Sequence, residues 1–470
     1  MHNCRYLTVG LLIVLGLQST RADGQKIASG KSKPQLWLTD PGDSIFFKLQ
    51  NKNFKPALNN GPVITIDKSK TYQQMDGFGF ALTGGSAMLI NKMSAVKQAD
   101  LLKELFGVTK NGIGVSYLRV SIGSSDLDDH VFSYDDLPVG EKDIDLKKFS
   151  LDNDHKALIP VLKKILTINP HINILASPWS PPVWMKTNDS TAGGHLKPEY
   201  YHAYAQYFIK YIKEMAAHGI PIDAVTLQNE PLNPKNNPSM VMEATEQADF
   251  IAKNLGPEFK AAGIKTKIIL YDHNADRPDY PISVLNNPEA AKYVDGSAFH
   301  LYGGKIDALS EVHNAHPDKN LYFTEQWVGA PGNIKKDLRF HIKELIIGAP
   351  RNWSRNVIEW NLAADPQQEP HTPGGCSRCL GAITISGDSV TRNSAYYIVA
   401  HASKFVRPGS KRIASNNPDE LPNVAFLTPN GKIVLIVYND SKTAQTFDIK
   451  YDNKRLGAVL NADAVGTFVL

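Results

Sequence analysis

From about Gly77 to Val406, short apolar runs alternate with longer stretches in which apolar residues recur every three or four positions. The first pattern fits buried parallel strands and the second fits helices lying over them, so the region reads as a series of βα units. Strands are predicted at 77–82, 115–120, 173–177, 223–227, 267–272, 297–300, 320–324 and 356–360. Helices are predicted at 95–106, 155–169, 198–218, 243–262, 335–348 and 394–406. Eight strands within about 330 residues predict an α/β fold, a closed (β/α)8 TIM barrel with long loops. The competing architecture is an open doubly wound sheet. Against it, Gly77-Phe78-Gly79 has Leu82 where a dinucleotide fingerprint needs its third glycine.

Both ends follow a two-residue rhythm instead. Alternating segments at 35–39, 44–50 and 63–67 are separated by the turn signals Asp40-Pro41-Gly42 and Asn59-Asn60-Gly61. Similar segments follow at 424–428, 432–438, 446–451 and 465–470, with Pro429-Asn430-Gly431 as a hairpin turn. Neither group can bury a core alone, so the two are expected to pair in a side β-sandwich domain built from both chain ends. The expected organisation is a signal peptide at 1–22, sandwich strands at 23–70, the barrel at 71–407 and further sandwich strands at 408–470.

The signal reading comes from Arg5, the apolar stretch Tyr6 to Leu17 and the small residues around Thr20-Arg21-Ala22. A run of about 12 apolar residues falls short of the ~20 that span a bilayer, so export is expected, periplasmic or secreted, without stable membrane insertion. The 470 residues carry 51 Lys and Arg against 47 Asp and Glu, with no basic run suited to phosphate backbones, which excludes nucleic acid as the expected partner. Cys376 and Cys379 remain after the signal; a local disulfide or two free thiols fit better than a zinc site, for which a second cysteine pair is missing. Asn188, Asn352 and Asn439 head glycosylation sequons.

Two predicted strands end in carboxylates. Val225-Thr226-Leu227 runs into Gln228-Asn229-Glu230-Pro231, and Leu321-Tyr322-Phe323-Thr324 into Glu325, followed by Gln326 and Trp327. Alone, the first could be a turn cluster opening the next helix. Together, counted as the ends of strands 4 and 7, they face one another across a barrel mouth. Two carboxylates over one cleft can hydrolyse a glycosidic bond, one protonating the leaving oxygen and the other meeting the oxocarbenium ion. Trp179, Trp184, Tyr302 and Trp360 fall at other strand ends, and flat rings beside polar groups suit sugar faces, although a core of aromatics beneath the loops would look the same. Arg119 could orient Glu325 and keep it ionised, Asp126 could accept from sugar hydroxyls, and a structural ion pair within the barrel is the alternative for Arg119.

These residues, with Asp76-Gly77-Phe78-Gly79, Leu175-Ala176-Ser177-Pro178-Trp179, Trp360-Asn361-Leu362-Ala363 and Ala402 to Ser410, resemble glycoside hydrolase family 30. The resemblance implies the barrel-plus-sandwich fold and a retaining β-glycosidase that needs no cofactor. It implies Glu230 as general acid/base, Glu325 as nucleophile, Asn229 on the sugar 2-hydroxyl, Asp126 and Trp179 on the glucose, and Tyr302 and Trp360 lining the cleft; Trp327, two residues past Glu325, is counted with them as a substrate-binding candidate. On this scheme Glu230 is best placed near apolar rings that raise its pKa. The implied substrate is a β-glucoside or β-glucan, glucosylceramide-type or β-1,6-linked. Gln326, Trp327 and the loop Gly374-Gly375-Cys376-Ser377-Arg378-Cys379 depart from the lysosomal branch where a leaving group would sit. A non-catalytic carbohydrate-binding barrel and a xylan-active enzyme are the alternatives.

Overall fold

In the computed structural model, residues 1–2, 33–50, 54–57, 61–109 and 111–470 are described. The chain divides into Met1–Lys33 and Pro34–Leu470, and the fold belongs to the second unit. The signal segment at 1–22 lies, apart from its first two residues, outside the described residues.

All eight expected barrel strands form: Gly77–Ala81, Tyr117–Ile122, Asn173–Pro178, Ala224–Thr226, Lys267–Ala275, Val294–Gly304, Asn320–Glu325 and Asn356–Asn361. They pair in parallel around the sheet, and a parallel bridge from Leu321 to Ser354 joins strand 7 to the approach of strand 8. One small layer fills the interior: Tyr117, Leu175, Ala224, Ile269, Ala298, Tyr322 and Ile358. Because side chains alternate with period two, residues two positions later point into the same lumen one layer higher. In strands 2, 3, 4, 6, 7 and 8 those residues are Arg119, Ser177, Thr226, His300, Thr324 and Trp360. This upper layer is the floor of the site.

The helices pack outside. The expected single helix at 243–262 begins with a capping box at Glu243 and Glu246 and contains a wider turn at Ile251–Leu255, and Leu338–Gly348 is wound in the same wider manner. The strands from both ends join in one ten-stranded run. Val63–Gln74 sits at its fold, pairing antiparallel with Lys411–Ser415 along one stretch and parallel with Gln445–Tyr451 along another. Leu36, Ile64, Ile413, Leu435, Phe447 and Phe468 fill the core between its faces. The strands Lys411–Ser415 and Lys454–Leu460 and the hairpin Ile383–Ser386 with Ser389–Arg392 add to the sequence reading. The sandwich meets the barrel through buried His401, whose ring nitrogens lie 2.8 Å from Thr39 and 2.8 Å from Thr467.

Cys376 and Cys379 are joined in a disulfide. The sequon at Asn439 is unusable in the folded chain, since Asn439 is fully buried with its amide on three backbone carbonyls. Among the described residues no helix is long and apolar enough to cross a membrane.

Candidate active site

Arg119 lies inside strand 2, wholly buried, and its guanidinium organises the barrel mouth. Nη1 donates to Oε2 of Glu325 at 2.5 Å, and Nη2 to Oδ2 of Asp272 and Oδ1 of Asn229, both at 2.7 Å. Nε donates to Ser177 Oγ at 3.2 Å. Thr226 and Thr324 each donate to Asp272 at 2.7 Å. A buried charge set of this kind is tolerated only when every member is paired. One side chain thus both grips Glu325 and makes a buried ion pair with Asp272.

Two backbone irregularities bring the acids inward. In strand 7 the register with strand 6 slips between Phe323 and Glu325, so Glu325 faces the lumen where strict alternation would turn it out. In strand 5 the pairing skips from Tyr271 to His273, leaving Asp272 as the extra residue, with Tyr271 and Asp272 at φ of 75° and 65°. Strand 4 ends at Thr226, and Glu230 sits four residues beyond it at φ 45°. A non-glycine residue there costs about 1–3 kcal/mol and persists only where its surroundings hold it. Glu230 is held by its N–H on the Asp272 carbonyl (3.0 Å) and by the Asn233 amide donating to its Oε2 (2.7 Å).

One carboxyl oxygen from each glutamate and a ring nitrogen of His300 all lie within 4.8 Å of one another. His300 Nδ1 is 3.3 Å from Glu230 Oε1 and 3.8 Å from Glu325 Oε1, and its Nε2 is 3.1 Å from Asp272 Oδ1. The Tyr302 hydroxyl donates to Glu325 Oε1 at 2.9 Å. Among the described residues this is the one acid and histidine cluster compact enough to hold a metal ion, but the Arg119 guanidinium on Glu325 opposes a second cation there.

The raised pKa expected for Glu230 is not what its surroundings produce. Burial alone would raise its carboxyl, but the hydrogen bond and charge of His300, the charge of His273 and the Asn233 amide hold it at about 2. Burial would lower His300, yet Glu325, Asp272 and Glu230 raise it to about 9. The surrounding charges therefore favour a proton on His300 over one on Glu230, and the two groups lie within one hydrogen bond of each other. Burial pushes Glu325 above the ordinary carboxylate range, with His300 and Arg119 pulling against it. Burial and the charges of Glu325 and Glu230 push Asp126 up to about 7, against the Cys376 amide.

The acids open into a cleft of about 570 Å³ lined by Asp126, Trp179, Tyr302, Trp327 and Trp360 as well as both glutamates. Trp179 and Trp360 stack at 5.4 Å, with Arg119 4.8 Å from the Trp179 ring. Asn229 stands beside them in the grip of Arg119. Trp184 does not join the cleft: it packs edge-on against Tyr200 and donates to Asp135, making it a support of the loop. Asp272, His300 and Asn233 complete the site without having been singled out from the sequence. His300 was within reach of the alternation that starts at Ala298; Asp272 was hidden by its bulge.

The family model of the glycosyl hydrolase family 30 TIM-barrel domain matches residues 75–406, and that of the family's β-sandwich domain matches 409–468. An endo-1,6-β-D-glucanase of Trichoderma harzianum is 36% identical over 90% of this chain and 88% of its own. The lysosomal acid glucosylceramidase of Mus musculus is 31% identical over 81% of this chain and 78% of its own. The solved endo-β1,6-glucanase BT3312 superposes with a TM-score of 0.85 at 34% identity, covering 93% of this chain and 98% of that one.

Proposed function

The chain belongs to glycosyl hydrolase family 30 and is a glycosidase, and we propose that it is an exported, retaining endo-β-1,6-glucanase. The observation that carries the retaining reading is the approach of Glu230 and Glu325, whose oxygens come within 4.8 Å. Double displacement works at about 5 Å, whereas an inverting pair stands about 6.5–9.5 Å apart to admit water.

In this reading Glu325, held by Arg119 and Tyr302, attacks the anomeric carbon as the glycosidic bond breaks. Glu230 gives a proton to the departing oxygen, having received it from His300 Nδ1 across their hydrogen bond. Once the aglycone leaves, Glu230 takes a proton from water, and the hydroxide equivalent releases the sugar from Glu325. Asp126, Asn229 and Trp179 hold the sugar; the Trp179 indole N–H is buried without a protein partner, as suits a group kept for a ligand hydroxyl.

A glucan is favoured over a lipid glucoside by the lining beyond the acids. Asn233, Lys235, Asn236 and Asn274 are polar, and Trp327 offers a flat ring for a further sugar. Similarity to the fungal and BT3312 enzymes points the same way. Export rests on the Arg5-led apolar N-terminus. Chromatography of products from pustulan and from glucosylceramide tests the substrate: gentio-oligosaccharides from pustulan are expected, and cleavage of glucosylceramide alone overturns the glucanase reading.

A further inference from the structure

The loop after strand 8 carries the Cys376–Cys379 disulfide, which no step of the proposed reaction uses. Its contacts are on the sugar-binding groups. The Cys376 N–H donates to Oδ2 of Asp126 at 3.3 Å. Just before it, the Thr372 N–H and hydroxyl both reach the Asp126 carbonyl, at 2.9 and 3.4 Å. A Cβ on Gly375 would come within 2.3 Å of that same oxygen, so the approach needs glycine. At the other end of the bridge, Cys379 pairs with Gly329, two residues past Trp327, and its carbonyl accepts from Asn361 at 3.3 Å. Cys379 shares an apolar cluster with Trp179 and Trp360, with Cys376 and Trp327 packed against it.

We propose that the Cys376–Cys379 bridge is a positioning strap for substrate, seating the Cys376 amide on Asp126 so that this carboxylate meets the sugar, while fixing Trp327 as the wall of the aglycone side. This deepens the glucanase reading and rests on it for the role of Asp126. Among the described residues no cation pairs with Asp126, so a backbone amide is what opposes the burial of its charge. The bridge spans a sequence separation of 3, and closing so short a loop constrains the unfolded chain little. Global stability therefore does not explain it, whereas local geometry does.

The test compares the full chain with its Cys376→Ser/Cys379→Ser double variant on pustulan oligosaccharides. The double variant is expected to raise KM about tenfold, the worth of a hydrogen bond to a charged group, with kcat altered less than about twofold. In an Asp126→Asn background the same pair of changes should lower kcat/KM by less than about twofold, because contacts that act through one residue are not additive. Amide hydrogen exchange should quicken at 124–128 and 327–329 with the melting temperature kept. Full additivity with Asp126→Asn, a loss in kcat alone, or unchanged exchange at 124–128 overturns the strap. Exchange needs no turnover, so a wild type inactive on every β-glucoside overturns the hydrolase reading while exchange still decides the strap.

Discussion

Nδ1 of the His300 imidazole lies 3.3 Å from Oε1 of the Glu230 carboxylate, with His300 raised to about 9 and Glu230 held at about 2. In the proposed mechanism Glu230, as the acid, draws its proton from the imidazole one contact away. The pair titrates as a unit, so the alkaline limb of kcat/KM is expected near pH 9. In His300→Gln that limb should move to lower pH, because Glu230 then loses its proton by itself. A pH–rate profile of the two proteins checks this.

Glu325→Gln should reduce turnover of aryl β-glucosides about a thousandfold or more while leaving the fold intact, since the amide cannot form the glycosyl ester. Near-normal turnover in that variant would remove Glu325 as nucleophile.

Glu230→Ala should slow substrates with poor leaving groups far more than those with activated phenols, whose departure needs little protonation. The slope of log kcat/KM against leaving-group pKa measures it; equal losses across the series would count against the acid role.

Arg119→Ala removes the guanidinium that Asp272 and Glu325 share, and among the described residues leaves these two buried carboxylates His300 as their remaining cationic neighbour. A cost of about 3–5 kcal/mol is expected, read from urea denaturation. A loss below about 1 kcal/mol would mean that water replaces the guanidinium.

Between pH 5 and 9 stability should fall as pH rises, the groups that burial or charge raises outnumbering Lys186, which burial lowers to about 7 and which acts in the opposite sense above that pH. Burial pushes Asp126, Asp128 and Asp154 each up to about 7. A group whose folded pKa exceeds its unfolded one stabilises below the unfolded value and loses that contribution as pH rises through the folded value. For the aspartates the loss runs from about pH 4 to 7, and for His300 it runs from about 6.5 to 9. Denaturation midpoints at pH 5 and 9 check the fall. Asp154→Asn should lessen it, because the Tyr134 hydroxyl keeps an acceptor there.

The eight barrel strands were legible because a strand buried on both faces must be apolar along its length, and such runs stand out between amphipathic helices. Lys411–Ser415 and Lys454–Leu460 were not, since short strands with exposed charged positions resemble loops until a partner strand is known. Glu230 and Glu325 showed as carboxylates closing apolar runs, and Arg119 as a charge inside one. Trp184 showed the same signal as Trp179 and lies elsewhere, because a tryptophan packs equally well under a loop or beside a cleft.

By itself the sequence determined the period of each segment, and with it the barrel, the side sandwich and the chemical groups available at the strand ends. Only the tertiary structure decided which of those groups meet. The bulge that turns Asp272 inward, the register slip that does the same for Glu325, the strained φ of Glu230 and the His300 contact depend on strand pairing between segments far apart in the chain. A one-residue slip sends a side chain to the opposite face, and only the neighbouring strand sets where that slip falls.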